Sequence, residues 1–251
     1  MTAQAPAHRL SAMRAVVCDT DGVITDTARL HATAWKAAFD AHLRARAGGA
    51  EPEPFDATGD YLRYVDGRSR RDGAAAFLTA RGPGRPAPAE VEAVAAEKER
   101  LFTALLAERG VRAYPGTVRL LTALRDAGLP LAAVSASRHA REVLAAAGVL
   151  DLFDVCVDGV AAARLGLPGK PDPALFLEAA RRLAVPPAGC AVVEDALAGV
   201  EAGRRGGFGL VVGVDRTAGP GTADALRAAG ADVVVRDVAD LLAAPGAGMP
   251  S

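Results

Sequence analysis

"VVCDTDGVITDTARLHATAW", Val16 to Trp35, ends a short apolar run on two carboxylates, Asp19 and Asp21, with Asp26 five residues further on. A run of β-branched residues closed by Asp-Thr-Asp-Gly reads as a buried strand that stops at Gly22. Carboxylates at a strand end are ordinarily solvated caps. Two of them framing Thr20, directly ahead of a helical pattern, ask what the first does that the second cannot.

Outward from this stretch, apolar runs alternate with amphipathic ones. "LPLAAVSA" (129–136), "LFDVCVD" (152–158), "CAVVED" (190–195), "FGLVVGVD" (208–215) and "ADVVV" (231–235) are short and bounded by Gly, Asp or Pro, as buried parallel strands are. "RHAREVLAAAG" (138–148), "PALFLEAARRLAV" (173–185) and "ALAGVEAGRRGG" (196–207) read as the helices between them, several closing on Gly. The fold class expected is α/β, a doubly wound, Rossmann-like parallel sheet with ligands at the carboxyl ends of its strands.

Residues 28–113 break this alternation. "LHATAWKAAFDAHLRARA" and "AEVEAVAAEKERLFTALLAERG" have helical periodicity, and "GGAEPEPFD" (48–56) and "RGPGRPAPAE" (81–90) are loop chemistry. An all-helical cap domain is therefore expected over 28–113, inserted into an α/β core of 1–27 and 114–251 that resumes at "YPG" (114–116). The ends, about 1–12 and 243–251, read as disordered.

A chain of 251 residues with a formal net charge of −1 can bury a proper core and offers no overall basic field for nucleic acid or an anionic membrane. Cys18, Cys156 and Cys190 leave at least one thiol unpaired and read as reduced core cysteines. "MTAQAPAHRLSAM" lacks the apolar segment of a secretory signal, and no run approaches the ~20 apolar residues that cross a bilayer. A soluble, cytoplasmic, monomeric chain with a small-molecule partner is expected.

Four signals fall at strand ends or helix starts: Asp19-Thr20-Asp21-Gly22, Ser135-Ala136-Ser137-Arg138, Lys170-Pro171-Asp172-Pro173 and Glu194-Asp195. Each alone is common turn or cap chemistry. Brought to one sheet edge, they make the set that magnesium-assisted phosphoryl transfer needs. Carboxylate oxygens suit the hard cation, the lysine offsets charge, and the hydroxyl holds a phosphoryl oxygen.

In this order the chain resembles the haloacid dehalogenase superfamily, in its β-phosphoglucomutase-like branch with a helical cap. The resemblance covers nearly all of the chain apart from the tails, and "CDTDGVITDTARLHATAWK" and "SAS" are its most specific pieces. It implies Asp19 as nucleophile and Asp21 as general acid/base, with Mg2+ held by Asp19, Glu194, Asp195 and the backbone carbonyl of Asp21. It also implies Ser135 and Lys170 on the transferring phosphoryl group, with backbone amides at Asp21 and Ala136 completing its cradle. The first carboxylate must stay ionised to attack phosphorus; the second must exchange a proton with substrate.

For the cap, the resemblance places Thr27, His31 and Lys98 where closure is linked to the acid/base, with Trp35 in matching register. In "YVDGRSRRDG" (64–73) it places Gly67, Ser69 and Arg70 on a non-transferring phosphate, which Ser137 and Arg138 hold from the core side. Read bottom-up, His31 is equally an amphipathic-helix histidine and Arg70 a charged helix start. Asp66 replaces a lysine, Arg68 an apolar residue and Glu99 an asparagine, while the approach "AAARLGLPGKPDP" (161–173) is longer than the mutase pattern. The function expected is a mutase interconverting β-glucose 1-phosphate and glucose 6-phosphate. The alternatives are a phosphatase of hexose phosphates or trehalose 6-phosphate, and a phosphometabolite-binding module without turnover. The last is disfavoured because every catalytic motif position is filled.

Overall fold

The computed structural model describes residues 10–48, 51–217, 219 and 221–242. Of the expected disordered ends, 1–9 and 243–251 lie outside these residues, whereas Leu10 is buried in the core of the sheet.

Side chains alternate across a strand, and here both faces are apolar. In β1 (Ala15–Asp19), Val16 and Cys18 enter one core while Ala15 and Val17 enter the other. β2 (Leu131–Val134) and β4 (Cys190–Glu194) divide in the same way, so each strand is covered on both sides by helices. With β3 (Val155–Val157), β5 (Leu210–Val214) and β6 (Val233–Val235) they form one parallel sheet in the order β3-β2-β1-β4-β5-β6. β1 pairs with both β2 and β4, and the strand order reverses there. Loops leaving their carboxyl ends diverge and open a crevice at Asp19.

The segment 28–113 between β1 and β2, called the insert below, carries α1 (Ala28–Arg46), a wide five-residue turn (Tyr61–Val65), α2 (Arg70–Arg81) and α3 (Pro88–Arg109). It has its own aromatic core, in which Phe39 lies 4.9 Å from Trp35 and 4.1 Å from Phe77 between ring centroids. The break read over 81–90 is shorter than expected. Pro88 opens α3 because proline's missing N–H costs nothing in a first helical turn. The two chain crossings between insert and sheet are tied together, Asp26 N donating to Arg112 O (3.0 Å) and Tyr114 N to Ile24 O (2.9 Å).

Beyond the insert lie α4 (Pro115–Asp126), α5 (Ala140–Ala146), α6 (Gly159–Leu165), α7 (Ala174–Arg182), α8 (Leu197–Arg205) and α9 (Thr222–Ala229). α6 accounts for the long approach to Lys170: Asp158 caps it through Val160 N and Ala161 N, and Gly166 ends it in a left-handed conformation. The three cysteines are free thiols, Cys18 and Cys190 buried and Cys156 partly so. No helix among the described residues is long and apolar enough to cross a membrane.

Candidate active site

The carboxyl ends of β1 and β4 stand side by side, Cys18 opposite Val193, so Asp19 and Glu194 emerge as neighbours. Lys170 reaches between them. Its Nζ donates to Asp19 Oδ1 and, at 2.6 Å, to Glu194 Oε1. All three groups are buried, and Glu194 Oε2 also accepts from Ala196 N at 2.6 Å. Burial opposes the lysine's charge, but the two carboxylates outweigh it and hold the ammonium well above its ordinary range.

Asp195 completes an acidic trio with Asp19 and Glu194, each offering an oxygen within 4.8 Å of the others. Burial first, then mutual repulsion, pushes Asp19 and Asp195 well above the usual carboxylate range despite Lys170. Hard oxygen donors crowded in this way fit a divalent cation such as magnesium, whose charge relieves that repulsion. Gly22 makes the approach possible. It sits at φ +85°, and a Cβ there would fall on the Asp195 carboxylate.

Asp21 turns away from this trio and is held by hydrogen bonds. Thr27 Oγ1 donates to its Oδ1 (2.5 Å) and Ser135 Oγ to its Oδ2 (3.0 Å), while His31 Nε2 lies 3.3 Å from Oδ1. Burial alone would raise its pKa, but His31 and the two hydroxyl donors hold it well below the usual range. Lys98 Nζ donates to His31 Nδ1 at 2.8 Å, which leaves the ring proton on Nε2, facing Asp21. Burial and the adjacent Lys98 charge lower His31 below its ordinary pKa, against the opposing pull of Asp21. Lys98, buried against Phe102 (4.5 Å) and Trp35 (5.6 Å), is itself pulled down to about 8 by burial. A line of close contacts, Lys98–His31–Asp21, thus joins α3 and α1 of the insert to the Asp21 carboxylate, with His31 Nε2 buried beside Asp21 at 3.3 Å but not hydrogen-bonded to it.

Between insert and sheet lies a cavity of about 780 Å³. Asp19, Asp21, Lys170 and Asp195 line its sheet side, with Ala136, Ser137 and Arg138; His31, Lys98, Gly67, Ser69 and Arg70 line the insert side. Thr27, Ser135 and Glu194 stand behind this lining and act on it through Asp21 and Lys170. Trp35 reaches the cavity but is 4% exposed and belongs chiefly to the aromatic core of the insert. Arg70 opens α2 and faces the cavity, while Ser69 caps that helix by accepting from Asp72 N (3.2 Å). Gly67, at φ +69°, lets the insert loop close onto Ala196, where a Cβ would stand 2.9 Å from the alanine methyl.

Three features needed the coordinates. Asp66 lines the cavity, and burial together with Glu194 pushes it up to about 7. Glu99 Oε1 contacts Arg70 Nη1 at 2.6 Å, in place of the expected neutral amide. Arg216, just past β5, donates from Nε to Gly22 O (2.7 Å) and from Nη2 to Val23 O (3.1 Å), its guanidinium 3.8 Å over the Tyr114 ring. Its partners on the Asp21 loop are 194 and 193 positions away, so no local pattern marks it. Arg216→Met is expected to cut kcat by about tenfold or more with a smaller change in KM, because the Asp21 loop loses its brace. Steady-state kinetics check this, and unaltered kcat would contradict it.

Residues 13–207 match the family model described as haloacid dehalogenase-like hydrolase. The β-phosphoglucomutase of Mycobacterium tuberculosis is 45% identical over 240 residues, covering 92% of each chain. The phosphorylated carbohydrates phosphatase of Thermotoga maritima is 32% identical over 227 residues, covering 89% of this chain and 94% of its own. Among solved structures, the β-phosphoglucomutase of Clostridium difficile aligns with a TM-score of 0.70 at 28% identity, covering 91% of this chain and 93% of the other. With a strand-end aspartate, a buried lysine and an acidic trio at one sheet edge, this chain belongs to the haloacid dehalogenase-like hydrolase family and is an enzyme of its phosphotransferase and phosphatase type.

Proposed function

We propose that the protein is a magnesium-dependent phosphosugar mutase interconverting β-glucose 1-phosphate and glucose 6-phosphate. Residues 28–113 act as the cap, and Asp19, Glu194, Asp195 and the Asp21 carbonyl hold Mg2+, which when bound supplies charge to offset the crowded anions. An Asp19 carboxylate oxygen attacks one phosphorus of a glucose bisphosphate and forms an aspartyl phosphate as the bond from phosphorus to the leaving sugar oxygen breaks, releasing the monophosphate. Asp21 gives that oxygen a proton. In the return half, Asp21 takes the proton of the sugar hydroxyl that attacks the aspartyl phosphate, passing through a bisphosphate.

Lys170 and Ser135, with amides at Asp21 and Ala136, steady the transferring group. Arg70 and Arg138 grip the other phosphate across the cavity, with Gly67, Ser69 and Ser137 shaping the subsite. Thr27, Ser135 and His31 keep Asp21 ionised in this resting arrangement, ready as a base. A phosphoryl dianion beside it raises its proton affinity for the acid step.

The observation that supports a mutase is the Lys98–His31–Asp21 chain, because it ties the proton-transferring carboxylate to the cap. A mutase must keep water from the aspartyl phosphate until a sugar hydroxyl arrives, and a base assembled only under a closed cap does so. A phosphatase, the activity of the Thermotoga relative, has no such need. Phosphorus NMR of the protein with β-glucose 1-phosphate, Mg2+ and a trace of the bisphosphate separates the two. Glucose 6-phosphate accumulates if the proposal holds; stoichiometric inorganic phosphate with little glucose 6-phosphate overturns it.

A further inference from the structure

One oxygen of Glu99, Oε1, meets two groups, one on the insert and one on the sheet side of the molecule. Arg70 Nη1, at the start of α2 in the insert, lies 2.6 Å away, and His139 Nε2, just before α5 of the sheet domain, lies 2.9 Å away. His139 is fixed from both sides, its Nδ1 meeting Glu142 Oε2 at 2.8 Å, and its ring packs 6.0 Å from Phe102 of the insert. Glu99 shares the cavity wall with Arg70 and Arg138. The carboxylate therefore occupies the place where an anion bound to Arg70 would sit, and it ties insert to sheet there.

We propose that Glu99 is a built-in substitute for the distal phosphate of the substrate, holding Arg70 at the cavity wall and bridging to His139 until a phosphoryl group displaces it. The inference rests on the sugar-phosphate reading for the identity of the natural ligand, and on the geometry alone for the competition at Arg70. A phosphate dianion carries more charge than a carboxylate and can take two guanidinium N–H groups at once, so it can exchange for Glu99. A neutral sugar has no charge with which to do so. Glu99 thereby acts as a specificity residue: it keeps the subsite closed to uncharged ligands and tempers affinity for charged ones. Asparagine, which the resemblance leads one to expect at 99, would leave Arg70 without this carboxylate.

The test uses Asp19→Asn as an inert parent, so that neither isomerisation nor hydrolysis consumes the probe. Inorganic phosphate and glucose 6-phosphate are titrated calorimetrically, with Mg2+ present, into the parent and into the parent carrying Glu99→Gln or Glu99→Asn. Freeing Arg70 from a charge-assisted bond is expected to tighten phosphate about tenfold in both variants. Adding Arg70→Ala should return affinity to the parent value. Phosphate binding that is unchanged or weaker in both Glu99 variants, or a gain that survives Arg70→Ala, overturns the role of Glu99. Glucose 6-phosphate binds tenfold tighter as well if the sugar-phosphate reading is correct. Its failure to bind the parent, alongside a phosphate gain, sinks that reading and leaves the competition at Arg70 standing.

Discussion

Asp19→Asn is expected to lower turnover by about four orders of magnitude or more, the scale seen when a covalent nucleophile is removed from an intact site. The carboxylate lies at the end of β1, buried, with its oxygen on Lys170 and within reach of Glu194 and Asp195. An amide has the same shape but neither the charge to attack phosphorus nor two acceptor oxygens. The fold is expected to persist, because the substitution removes one of three mutually repelling carboxylates and leaves Lys170 its contact with Glu194. Two measurements check this. Acid-quenched wild-type protein should carry covalent phosphate by mass spectrometry, and the variant should carry none. Wild-type turnover in a folded Asp19→Asn protein would remove the aspartyl phosphate from the account.

Lys170→Met is expected to cost activity and also about 3–5 kcal/mol of stability. Its ammonium is 3% exposed and is shared by two buried carboxylates, so the variant leaves both charges without a counter-ion. For a domain of this size such a loss corresponds to a fall in Tm of roughly 10 °C. The sign of the pH dependence follows from which group must change state. In wild type the raised lysine pKa gives a contribution that is complete below the ordinary lysine range and is lost only at strongly alkaline pH. In the variant, Asp19 loses the ammonium that lowers its already raised pKa, so ionising it penalises the folded state more as pH rises. The gap between variant and wild type should therefore be widest near pH 8 and narrow towards pH 5. Thermal melts in EDTA at both pH values read this directly; a gap that is flat or inverted with pH would mean Lys170 does not neutralise this cluster.

Much of this was legible from residue order because the signals are local. The apolar runs at 16–18, 131–134, 190–193 and 210–214 are near-continuous, which only a sheet covered on both faces requires, and each strand forms where expected. Asp19, Ser135 and Glu194 sit at or just past strand ends, so a doubly wound sheet carries them to one edge whatever else the chain does. Helices α2 and α6 were less visible. α2 begins in a charged run and carries Gly73, and α6 is only seven residues long, too short for periodicity to declare itself.

Residue order by itself determined the sheet, the helical insert and the identity of the groups at the strand ends, because strand periodicity, turn chemistry and chain connectivity are properties of neighbouring residues. Tertiary structure decided which charges face each other: Lys170 between Asp19 and Glu194, Glu99 on Arg70 and His139, Arg216 under the loop that carries Asp21. These pairs join elements far apart in the chain. Their strength depends on distance and burial, which exist only once the insert lies over the sheet.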